Sequence, residues 1–117
     1  TLNAVGEQVP FGRYFAASRA AAGHKGPVVT AGQEWLAGQG VGYWAGPDSL
    51  PLWLPPGHDG FMARSNQAAR AAGLTLRPWQ ETLEDTLRDE RSRGLDRLRK
   101  AGLAPETEER LVDKLRG

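Results

Sequence analysis

At 117 residues, with 39% hydrophobic and 25% charged side chains and a formal net charge of +1, the chain is sized for one modest domain that buries roughly two-thirds of its unfolded surface. No apolar run is long enough to cross a bilayer, and the absence of cysteine excludes disulfides, thiolate nucleophiles and cysteine metal sites, which fits a reducing cytoplasm. Residues 1–60 carry three basic and four acidic side chains and residues 61–117 carry twelve and ten; Asp89, Glu90 and Asp96 interrupt the arginines between Arg88 and Lys100, so a solvated helix face is expected there and no nucleic-acid footprint.

In chain order, Thr1 to Val5 alternates like a strand already running at the first residue, as a fragment of a longer chain would. Pro10 suits a first helical position and opens a helix through about Ala22, with Phe11, Tyr14, Phe15 and Ser18 on one face and Gly23 as the stop. Pro27 to Thr30 reads as a short β-branched strand, and Thr30 with Gln33 matches a capping box for a brief helix carrying Trp35 and Leu36. Gly38, Gly40, Gly42 and Gly46 then predict a mobile loop bearing Tyr43 and Trp44, without the strand–glycine–helix context that cradles a phosphate. His24 and His58 lie beside glycines, with no second histidine at metal spacing, and read as solvated loop residues.

The run from Gly46 to Phe61, GPDSLPLWLPPGHDGF, sets Leu50, Leu52, Trp53 and Leu54 among four prolines, which rules out an ordinary helix and predicts an extended, buried ribbon. That ribbon covers a small core, lines a ligand pocket with Trp53 and its neighbours, or does both. Beyond it, Ser65 is a fair N-cap for a helix over Asn66 to Ala72 closed by Gly73, and Leu74 to Leu76 alternates as a brief strand. Pro78 opens the best helix, stacking Trp79, Leu83 and Leu87, with Glu84–Arg88 and Asp89–Arg93 as i,i+4 pairs and Gly94 weakening or kinking it. A last helix is predicted from Pro105 to Arg116, with glutamates at its start, Lys114 and Arg116 at its end, and Leu111, Val112 and Leu115 as an apolar stripe. The strands are too few and short for a complete doubly wound sheet.

The run Trp44 to Pro55, followed by Gly60 to Ser65, Ala72-Gly73-Leu74, Arg77-Pro78 and Glu81 to Leu87, resembles the C-terminal end of actinobacterial NAD-dependent epimerase/dehydratase-like reductases, which are extended short-chain dehydrogenase/reductases. Leu2 to Gly6 is similar to the strand by which that family leaves its nucleotide-binding part. The resemblance implies a mixed α/β (α+β) fold: one small helix-rich lobe over residues 1–117 with a few short strands, closing over a small-molecule substrate. The Rossmann part with its glycine fingerprint and tyrosine–lysine pair would lie in the rest of the parent protein. Neither Tyr14 nor Tyr43 is followed four residues later by lysine, so no catalytic or cofactor residue is carried over, and NAD or NADP belongs to the parent.

The substrate-side candidates are Trp44, Asp48, Trp53, Phe61 and Arg64. Arg64 either clamps a carboxylate or phosphate or pairs with Asp59 or Glu81, and Asp48 either touches substrate or forms the turn after Pro47, the simpler reading in both cases being the structural one. The alternative is a self-standing, non-catalytic binding or dimerisation module whose apolar ribbon is a partner surface, and either reading admits a homo-oligomer. An independent small enzyme using Asp48, His58 and Asp59 lacks any visible nucleophile–base–orienter order.

Overall fold

Five helices, four of them beginning or ending at a proline or glycine or beside one, carry most of the regular structure in the computed structural model, which describes all residues 1–117. They are α1 (Phe11–Ala22), α2 (Gln33–Gly38), α3 (Gln67–Ala71), α4 (Trp79–Arg93) and α5 (Pro105–Arg116), with two-residue strands β1 (Gly42–Tyr43) and β2 (Ser49–Leu50). The result is a helix-rich α/β chain in which no helix is long and apolar enough to cross a membrane. It divides into two units, the first made of Thr1–Lys25 and Asp59–Arg97 and the second of Gly26–His58 and Leu98–Gly117.

In the first unit α1 packs on α4. Tyr14 meets Trp79 with ring centroids 6.0 Å apart, and the Arg13 guanidinium lies 5.9 Å from the Trp79 ring, within cation–π range. Trp79, Leu83 and Leu87 are half-buried on that side of α4, as their spacing predicts, while Ala69 of α3 is fully buried. Pro10 and Pro78 sit one position earlier than predicted, as caps in extended conformation, because the fixed proline φ serves the residue before the first helical turn equally well. Gly23 closes α1 in the left-handed conformation at φ 64°. The capping residue of α3 is Asn66, not the predicted Ser65, and it makes no side-chain cap bond; Ser65 lies one position further out, its Oγ accepting the Gln67 N–H at 3.2 Å. Asp89–Arg93 forms at 2.8 Å, but Arg88 turns to Asp85 instead of Glu84, since Asp85 already holds Arg77 and a shared carboxylate serves both guanidiniums. Gly94, at φ 93°, ends α4 and does not kink it.

In the second unit the buried set is Val41, Ser49 and Leu111, with Val112 and Leu115 of α5 half-buried beside them in the predicted stripe. α2 forms without the Thr30 capping box: Gly32 is the capping residue and no side chain caps the helix.

Three predicted strands are absent. Thr1–Val5, Pro27–Thr30 and Leu74–Leu76 are irregular and mostly exposed, because alternation makes a strand only where a partner edge is available to take its backbone groups. The strands that do form lie in the predicted glycine loop and at the head of the proline run. They pair in parallel, Gly42 opposite Ser49 and Tyr43 opposite Leu50.

Candidate functional site

Parallel strands are ordinarily joined by a crossover of a dozen or more residues, yet here five residues separate β1 from β2. The backbone accomplishes this by entering the left-handed region at Trp44 (φ 62°), Gly46 (φ 88°) and Asp48 (φ 48°). The Ala45 N–H reaches the Tyr43 carbonyl at 2.6 Å, making a three-residue γ-turn centred on Trp44, a strained form for a bulky residue. Each such residue costs on the order of 1–3 kcal/mol and persists only where its surroundings over-determine it.

The surroundings that do so converge on Ser49, which is completely buried. Its Oγ donates to the Gly46 carbonyl at 2.7 Å and accepts the Gly102 N–H at 3.3 Å, while its own N–H donates to the Gly102 carbonyl at 3.3 Å. Gly42 faces it closely: a Cβ there would lie 3.7 Å from the Ser49 Cβ. Asp48 completes the arrangement. Its carbonyl accepts the Gly42 N–H at 2.9 Å, and its Oδ1 accepts the N–H of Ala104, the capping residue of α5, at 3.1 Å. Since α5 has no side-chain cap of its own, the Asp48 carboxylate places negative charge at the helix's positive end.

The proline run is not an extended ribbon. Leu50 to Trp53 is a tight turn in which the Trp53 N–H donates to the Leu50 carbonyl at 3.2 Å, with Pro51 second and Leu52 third at φ 69°. A turn of this kind normally places glycine or asparagine third, so Leu52 is a second bulky residue held against its preference, and it stands 45% exposed. Trp53, Leu54 and Pro55 are half-buried, and the Trp53 ring packs on Tyr43 with centroids 4.2 Å apart.

The five candidates therefore separate. Trp44, Asp48 and Trp53 belong to the second unit, where Trp44 is exposed, Asp48 is tied to α5 and Trp53 is stacked on Tyr43. Phe61 and Arg64 belong to the first, both exposed, and Arg64 pairs with neither Asp59 nor Glu81 but lines a depression with Glu7 and Arg70. Reasoning from sequence missed Ser49, Tyr43 and Gly102. The signal for Ser49 was a small polar residue between two prolines, in a stretch whose neighbours are large and apolar.

Titration is displaced at two groups, both serving α4. Asp85 is held below the usual carboxylate range by its hydrogen bonds to Arg77 and then Arg88, and Arg97 is raised by its paired hydrogen bonds to Glu90, each 2.8 Å. No group of three histidine, cysteine, aspartate or glutamate side chains converges to hold a metal ion. No protein-family model, curated protein or solved structure matches the chain.

Proposed function

We propose that the chain is a substrate-binding lobe, not catalytic by itself, whose apolar surface is completed by another protein surface. Where the sequence resemblance is followed, that surface is the NAD(P)-binding part of an epimerase/dehydratase-like reductase acting in the cytoplasm, and the second unit contributes Trp44 and Trp53 to the substrate side.

The observation carrying this reading is the exposed area. The chain presents 9074 Å² to solvent. The surface-to-mass scaling of self-contained proteins gives about 7,500 Å² for its 12.7 kDa, even when that mass is divided equally between two separate bodies. The surplus of about 1,500 Å² is surface that self-contained bodies of this mass would bury. Its apolar part includes Phe11, Phe61 and Met62, each more than half exposed.

A self-standing dimerisation module is the second reading, favoured by the stacked Phe11–Phe15 pair, whose centroids lie 6.0 Å apart on an exposed stretch of α1. Sedimentation across a wide concentration range, with calorimetric titration of NADH and NADPH at millimolar concentration, tests both. The lobe reading expects polydisperse self-association and no saturable nucleotide heat. A discrete, tight dimer supports the second reading, whereas a clean monomer at all concentrations or saturable nucleotide binding refutes the lobe.

A further inference from the structure

In the first unit a depression of about 360 Å³ opens between Gly6–Gln8 on one side and Ala63–Asn66 with Arg70 on the other. Its two walls are distant in sequence and are tied together by Asn66, whose Nδ2 donates to the Val5 carbonyl at 2.9 Å. Across it, Arg70 Nη1 faces the Glu7 carboxylate at 3.8 Å, beyond hydrogen-bonding range, with more than half of each side chain in water. Such a pair contributes next to nothing to stability. Arg64 lines the same depression without an acidic partner.

We propose that this depression binds a small oxyanion, a phosphate or carboxylate group, between the guanidinium groups of Arg64 and Arg70, with Glu7 as an internal competitor. Two guanidiniums give planar forks of N–H donors that match the oxygens of either anion, and Glu7 satisfies neither fork. Ser65 lines the wall between them; its Oγ accepts the Gln67 N–H and so keeps its own proton for an incoming oxygen. The volume lies at the lower end of the range for small-ligand sites and suits one acidic group with a short attached body. Binding displaces the Glu7 carboxylate from Arg70, so Glu7 holds the affinity down. The site needs nothing from the exposed apolar surface and goes beyond the lobe reading.

The test follows the arginine Nε–H resonances of the labelled full chain during titration with inorganic phosphate and, separately, succinate, with chloride holding ionic strength constant. Saturable shifts at Arg64 and Arg70 are expected. Arg64→Gln and Arg70→Gln should each weaken the preferred anion by about tenfold, Glu7→Gln should tighten it by about threefold, and Arg110→Gln should leave it unchanged. The tighter of the two anions identifies a phosphoryl or a carboxylate ligand. The proposal is overturned by shifts that chloride reproduces, by equal shifts at all arginines, or by an affinity that Arg64→Gln and Glu7→Gln leave unaltered in folded protein.

Discussion

Replacing Asp48 in three ways separates a turn residue from a substrate contact. The structure assigns its side chain one bond, from the Ala104 N–H, and assigns its backbone a φ of 48°. Asp48→Asn keeps an acceptor oxygen and tolerates the left-handed region, losing only the charge at the start of α5, about 0.5 kcal/mol. Asp48→Ala loses the charge, the bond of about 1 kcal/mol and the local tolerance of positive φ, so its cost is about 2 kcal/mol. Asp48→Gly loses the same bond and charge and pays glycine's chain entropy of about 0.5–1 kcal/mol, but relieves backbone strain of similar or larger size, leaving a net cost of about 1 kcal/mol. Urea unfolding with an unchanged slope should therefore order stability as aspartate, asparagine, glycine, alanine. If alanine is no worse than glycine, the backbone at this position is not strained. If all three variants equal the parent, the bond to Ala104 is worthless to the fold and the carboxylate is available to a ligand.

Trp53→Ala should cost about 2–3 kcal/mol and Trp53→Phe less than about 1.5 kcal/mol, since phenylalanine keeps a ring against Tyr43; equal losses would remove the ring contact as the cause. Trp79→Ala is the comparison, as it removes the packing on Tyr14 and Arg13 that joins α1 to α4. A Trp53→Ala loss as large as that of Trp79→Ala marks Trp53 as packing and not as a pocket wall. Because the folded-state pKa of Asp85 is depressed below its ordinary 3.8, its contribution is present above that value and is lost as pH falls through the folded value. Asp85→Asn should thus lower stability at neutral pH and flatten the acid limb of the stability–pH curve below about pH 4, and an unchanged acid limb would refute the link.

What could be read from sequence was whatever a local rule decides. α1, α4 and α5 follow from apolar spacing with a proline just before the helix or at its first position and a glycine after, and the structure places them within a residue or so of expectation. The strands failed because pairing is not local: Thr1–Val5 alternates well but lacks a neighbour, whereas Gly42–Tyr43 has little strand propensity and pairs because Ser49–Leu50 is brought beside it. The proline ribbon failed at Leu52. Nothing in Pro51-Leu52-Trp53 signals a left-handed leucine, whose cost is met by contacts elsewhere. The candidate site was half legible: Asp48 is the turn residue its position after Pro47 suggested, but its bond to Ala104 spans 56 residues and leaves no trace in local pattern.

The bond between Ser49 and Gly102, 53 residues apart, sets an order of events during synthesis. A ribosome releases the chain from its N-terminal end at roughly 5–20 residues per second, so the Trp44–Asp48 segment exists for seconds before Gly102 and Ala104 emerge. In that interval the bonds to Gly102 and Ala104 are missing, and only local bonds such as Gly42 N–H to the Asp48 carbonyl and Ser49 Oγ to the Gly46 carbonyl hold the segment. Arrival of the last helix converts a soft loop into a fixed one. Any recognition surface built on Trp44 therefore comes into being only after residues 102–104 have been made.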